Sequence, residues 1–189
     1  MSKEKFRTME YIEKISSPKT LWHCINSELP LEAKPLSAIL SILKNKVEQK
    51  DTKEDWGDSL YLAENSDVSI GYANADGGKI PYLVKLELVL DLPCVFSDNL
   101  VYKGEDYRKS VYTVPTECIK AQVETLFLKP MLATPFMKYL SNHKHAYRCF
   151  HDLEGKYEII VPSSMVSDKF FKVEAIYPLK CDKYGKYSM

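Results

Sequence analysis

The chain has 189 residues, 45% of them apolar and 12% aromatic, with 13 tyrosines. That is enough apolar surface for one domain with a buried core, and it excludes a disordered, collagen-like or disulfide-scaffolded chain. The 26 basic and 26 acidic residues cancel and the pI is near 6.9, so no broad basic face for duplex nucleic acid is evident.

In chain order, the opening "MSKEKFRTMEYIEKISS" is charged throughout and lacks the apolar centre of a secretory signal. Residues 1–16 read as a charged amphipathic helix, with Phe6, Met9 and Ile12 along one side. "TLWHCI" reads as a short buried strand after Pro18. From Pro35 to Lys50 the pattern is helical, with Leu36, Ile39, Leu40, Leu43 and Val47 forming one stripe. "QKDTKEDWGD" is a polar connector and "SLYLA" a strand. "NSDVSIGYAN" is a capped brief helix, for which Ser66 and Asp67 suit the first turn, and "ADGG" is a turn. "PYLVKLELVLDLP" alternates Val84, Leu86, Leu88 and Leu90 against Lys85 and Glu87, which predicts a half-buried strand ending at Pro93. "VPTECIKAQVETLF" is helical by pattern, while Pro130 and Pro135 break the segment after it. "KYEIIVP" and "KFFKVEAIYPL" predict two closing strands. Strands and helices thus alternate irregularly. The expected class is α+β, with a mixed or split antiparallel sheet and flanking helices rather than a doubly wound parallel one.

Most chemical motifs are missing. The chain carries no glycine-rich dinucleotide or triphosphate loop and no nucleophile elbow. Cys24, Cys94, Cys118, Cys149 and Cys181 are odd in number and form no CxxC pair, which predicts reduced thiols in a cytoplasmic setting. That setting includes the cytosol of a target cell into which the chain is delivered. No apolar run approaches the ~20 residues of a membrane span, so no membrane association is expected. His143, His145, Cys149 and His151 lie close together in "HKHAYRCFH", but their spacing fits no structural zinc pattern. A solvated basic turn is the expectation there, and no metal is called for.

Three further stretches acquire meaning together. Taken singly, His23 is an ordinary core histidine, Glu158 a solvent-facing strand residue, and Tyr61 and Tyr72 core aromatics. Jointly they form a pattern. "TLWHCI" resembles the Leu-Trp-His-Gly stretch of the poly(ADP-ribose) polymerase family, the diphtheria-toxin-like ADP-ribosyltransferases. "SLYLAENSDVSIGYAN" is similar to that family's tyrosine–alanine–acidic segment and the serine and tyrosine that follow, in register without gaps at Tyr61, Ala63, Glu64, Ser69 and Tyr72. "KYEIIVPSSMVSDKFFKVEAIY" resembles the family's closing strands. The resemblance covers roughly residues 20–91 and 155–177, within a single domain spanning 1–189. It leaves 1–19 as an N-terminal extension and 94–154 as a variable insert.

The resemblance implies an ADP-ribosyltransferase-like fold, NAD as co-substrate and a His-Tyr-Glu triad made of His23, Tyr61 and Glu158. Glu158 would stabilise the oxocarbenium-like ribose and hold its 2′-hydroxyl. Tyr61 and Tyr72 would stack on the nicotinamide, and Ser69 with the backbone of Cys24 would hold its carboxamide. His23 would hydrogen-bond a ribose hydroxyl or a nearby amide of the NAD. Two positions depart from the family: Cys24 replaces a glycine, and Val68 replaces a lysine found in well-known members. The implied activity is mono-ADP-ribosylation of a protein or nucleic-acid acceptor, as in a toxin, effector or phage-type modifier with an inhibitor or antitoxin partner. Acceptor contacts are expected in 94–154, where Tyr102, Tyr107, Arg108, Lys144 and Arg148 lie. Two other readings stay open: a non-catalytic binding module, and an NAD hydrolase with water as acceptor.

Overall fold

The computed structural model of the protein describes residues 10–48, 59–97, 140–150 and 156–189. Within them lies an α+β architecture built on one mixed sheet. Its strands are β1 (Glu10–Ile15), β2 (Lys19–Ser27), β3 (Ser59–Ala63), β4 (Ile80–Leu88), β5 (Leu92–Ser97), β6 (Ala146–Phe150), β7 (Tyr157–Pro162) and β8 (Phe171–Pro178). Their order across the sheet is β1-β5-β6-β7-β3-β2-β4-β8. All neighbours are antiparallel except β5 and β6, which run parallel. A two-residue hairpin of β9 (Lys180–Cys181) and β10 (Tyr187–Ser188) follows.

The sheet is almost divided. Strand β2 is registered against β4 along its whole length, from Lys19 opposite Leu88 to Ser27 opposite Ile80. Strand β3 is registered against β7 in the same way. Between β2 and β3 only Trp22 and Ala63 are paired. Two well-laddered halves therefore share a single ladder pair, and a seam opens beyond it.

Apolar periodicity explains which faces close over this frame. Helix α1 (Leu36–Glu48) buries Ile39, Leu43 and Val47 at three- and four-residue intervals. It packs on β3 and β8. The main core gathers these side chains with Leu21, Ile25, Leu60, Leu62, Ile159 and Val161 from the strands. Leu36, at the start of the predicted stripe, stays exposed. The loop before α1 is pinned from below: the buried Tyr82 hydroxyl accepts the Leu31 N–H at 3.1 Å and donates to Glu32 at 2.7 Å. A short helix, α2 (Ser66–Ile70), lies over β2 and β3.

Three sequence expectations change. Residues 10–15 form a strand paired with β5, not part of a helix. Tyr11, Ile12 and Ile15 suit a strand at least as well as a helix, and the ladder offered by β5 decides between them. The strand predicted to end at Pro93 ends at Leu88; Val89 and Leu90 are exposed at a turn, and Pro93 falls inside β5. The segment expected as a solvated basic turn holds β6, an interior strand with Ala146 and Tyr147 buried. Both predicted N-terminal and insert segments thus contribute strands to the sheet. The "QKDTKEDWGD" connector and the helix predicted at 114–127 lie outside the described residues.

Asp91 ties the β1–β2 connection to the β4–β5 turn. Its carboxylate accepts the Ser17 backbone N–H at 2.8 Å, the Lys14 ammonium at 3.0 Å and the Ser17 hydroxyl at 3.1 Å. These donors, the backbone N–H foremost, lower its pKa from 3.8 to about 2. A depressed folded pKa means the ionised contact stabilises the fold above the unfolded value and is lost as pH falls from 3.8 to about 2. Asp91→Asn should therefore lose less stability than the parent between about pH 5 and about pH 2.5 in urea titrations. Equal losses in both proteins would contradict the assignment.

Candidate active site

A cleft of about 440 Å³ opens at the seam between β2 and β3. That volume falls within the roughly 300–1,000 Å³ of small-molecule sites. The strand register explains what lines it. Glu158 lies opposite Ala63, and Ala63 lies opposite Trp22, so one transverse row crosses β7, β3 and β2. His23 follows Trp22 on β2, and Tyr61 stands two residues before Ala63 on β3. Ser69 and Tyr72 come down from α2 and the turn after it. His23, Cys24, Tyr61, Ser69, Tyr72 and Glu158, the residues singled out in the sequence, all line this one cleft.

Hydrogen bonds define what several of these groups present. His23 Nδ1 lies 2.7 Å from the Tyr61 carbonyl oxygen. A carbonyl only accepts, so Nδ1 carries the proton of this contact. The Ser69 hydroxyl donates to the Trp22 carbonyl at 2.9 Å, which leaves its oxygen lone pairs for an incoming N–H donor. Tyr72, 45% exposed, donates its hydroxyl to Glu158 Oε1 at 2.7 Å. That bond joins two chain segments at the mouth of the cleft and orients the carboxylate.

The two departures from the family pattern have plain structural outcomes. Cys24 is buried with Leu83 and Leu179 in a second apolar cluster, which Trp22 and Ile70 border. Burial raises its thiol pKa to about 11, so it stays protonated at neutral pH. Val68 is buried within α2.

Other residues of the site escaped the sequence reading. Asn26 donates through Nδ2 to the Tyr72 carbonyl at 3.0 Å and accepts the Asn74 N–H at 2.9 Å, thereby anchoring the tyrosine's turn to β2. Lys46, from the last turn of α1, donates to the Asn26 carbonyl at 2.6 Å. Lys79 also reaches the cleft. Behind the transverse row, Arg148 forms a two-pronged contact with Glu64, Nε to Oε2 at 3.0 Å and Nη2 to Oε1 at 3.1 Å. Lys19 pairs with the same carboxylate. Arg148 also stacks over the Tyr157 ring at 4.1 Å. The side chain expected among acceptor contacts is thus engaged in bracing β6, β3 and β7. Tyr102, Tyr107 and Arg108 lie outside the described residues, as does His151. His145 Nδ1 sits 2.7 Å from the His143 carbonyl, and no cluster of three or more metal-ligating side chains occurs among the described residues.

No protein-family model matches the chain, and no curated protein does. Among solved structures, it is similar to a chain in the crystal structure of the M. tuberculosis MbcT–MbcA toxin–antitoxin complex. That match has 9% identity and a TM-score of 0.47, and covers 88% of this chain and 87% of the other. No helix among the described residues is long and apolar enough to cross a membrane.

Proposed function

We propose that the chain is a mono-ADP-ribosyltransferase of the His-Tyr-Glu kind, which breaks the nicotinamide–ribose bond of NAD and passes ADP-ribose to an acceptor. The observation that carries this reading is the convergence of His23, Tyr61, Ser69, Tyr72 and Glu158 on one cleft from three strands and a helix. Their chemistry suits the reaction. The bond from ribose C1′ to the nicotinamide nitrogen breaks with its electron pair leaving on a neutral nicotinamide. Positive charge then grows on the ribose, and a carboxylate held nearby stabilises it. Glu158, steadied by the Tyr72 hydroxyl, is the group for this, and the same carboxylate positions the ribose 2′-hydroxyl. Tyr61 supplies a flat face for the nicotinamide ring and Tyr72 closes the other side. Ser69 accepts from the carboxamide NH2, its own proton being engaged on Trp22. His23, oriented by its Nδ1 contact with the Tyr61 carbonyl, hydrogen-bonds a ribose hydroxyl or a nearby amide of the NAD. An acceptor nucleophile then bonds to C1′ and releases its proton to solvent.

Cys24 packs in the apolar cluster with Leu83 and Leu179, and its thiol donates to Asn26 Oδ1 at 3.8 Å. The acceptor belongs to the proposal as a protein or nucleic acid, and an inhibitor or antitoxin would act by covering the cleft. Incubation with labelled NAD and cell lysate tests the reading. Transfer of label to a macromolecule, with stoichiometric free nicotinamide, is expected. Nicotinamide release without labelled product would instead establish NAD hydrolysis, and no heat on titrating NAD into folded protein would establish a non-catalytic module.

A further inference from the structure

The end of the cleft remote from Glu158 holds two cations that the reaction chemistry described above does not use. Lys46 arrives from the last turn of α1, and Lys79 directly follows Gly77 and Gly78, whose positive φ values of 70° and 78° form the turn into β4. Lys46 contacts Asn26, which lies about 13 Å along β2 from the Trp22 row by strand rise, and Lys79 precedes Ile80, the partner of Ser27 on β2. The contact given to the Lys46 ammonium is a neutral carbonyl, that of Asn26. Among the described residues neither lysine has a carboxylate within ion-pair distance. Desolvation first, then the charge of Lys79, lowers the Lys46 pKa, while Glu28 acts in the opposite direction. Two like charges held at one rim of a cleft are unfavourable in isolation, and an anion between them removes that cost. Lysines bind phosphates as point charges and tolerate variation in geometry, which suits a flexible diphosphate better than a planar carboxylate.

We infer that Lys46 and Lys79 grip the diphosphate of a dinucleotide lying along the cleft, with its nicotinamide end at Glu158. The identity of the ligand rests on the NAD reading of the cleft; the anion grip rests on the lysines alone. Direction follows too. The dinucleotide runs from the Glu158 row past His23 toward the C-terminal end of β2.

Calorimetry on the full chain at fixed ionic strength, with inorganic pyrophosphate, ADP-ribose and benzamide as separate probes, tests this. Lys46→Met should weaken pyrophosphate and ADP-ribose on the order of tenfold, and the double variant with Lys79→Met on the order of a hundredfold. Benzamide, which carries no phosphate, should bind each variant as it binds the parent. Lys46→Arg should keep most of the affinity. Lys79→Met alone provides a second variant at an exposed turn, where folding is not at stake. Unchanged ADP-ribose affinity in the folded double variant overturns the inference, as does a parent that binds neither phosphate probe. Lysine-dependent pyrophosphate binding with no benzamide binding upholds the anion grip and overturns the NAD reading. Benzamide binding without lysine-dependent ADP-ribose binding does the converse.

Discussion

Glu158→Gln is expected to lower the rate of NAD-dependent transfer about 100- to 1000-fold while leaving NAD affinity within a few-fold of the parent. The split between rate and affinity follows from the proposed role. A carboxylate beside a ribose that becomes cationic contributes more in the transition state than in the bound ground state, so its loss appears in kcat. Glutamine is the informative replacement because it keeps an acceptor oxygen for the Tyr72 hydroxyl, now 2.7 Å from Oε1, and so preserves the bond that joins the turn to β7. Stability should accordingly change little. Single-turnover measurements with labelled NAD separate the two effects. If the glutamine variant transferred label at the parental rate, the proposed mechanism would be wrong. An effect confined to KM would place Glu158 in uniform binding instead.

Arg148→Ala is expected to destabilise the fold by about 2–3 kcal/mol, a fall in melting temperature of roughly 4–10 °C for a chain of this size. Three contacts are lost together. The guanidinium holds the Glu64 carboxylate through two parallel bonds, and that carboxylate is only 11% exposed. It also covers the Tyr157 ring, one residue before Glu158. Lys19 remains as a second partner for Glu64, which keeps the loss below that of a fully orphaned buried charge. Arg148→Lys retains the charge but not the fork, and should recover less than half of the loss. Chemical denaturation with matched slopes checks the magnitude. A change below about 0.5 kcal/mol would show that Glu64 is satisfied without Arg148. Because Cys149 pairs with Glu158 across β6 and β7, the alanine variant should also lose activity in proportion to the disorder of that strand.

Much of the strand inventory was legible because burial on one or both faces leaves a local imprint. The stripe of Ile39, Leu43 and Val47 announced α1, and the apolar runs of β3, β4 and β7 announced strands, since each pattern repeats the geometry of its own backbone. The ends were harder to place. Leu88 closes β4 although Leu90 continues the alternation, because the chain turns there to bring β5 to the far half of the sheet, between β1 and β6. Asn26 gave no sign of its role. A polar residue in a strand reads as solvent-facing, and only the approach of the turn at 72–74 makes its amide an anchor.

By itself, then, the sequence determined the α+β class, the main helix and the cluster of residue types from which a cleft is proposed, because composition, periodicity and motif order are properties of the chain alone. The tertiary structure decided the rest: that Glu10–Ile15 and Ala146–Phe150 are strands, that β2 and β3 share a single ladder pair at Trp22 and Ala63, and that Arg148 braces Glu64 rather than facing solvent. Those outcomes depend on backbone ladders and charge pairs between segments far apart in sequence. Such partners become available only when the chain has closed on itself, and no local pattern encodes them.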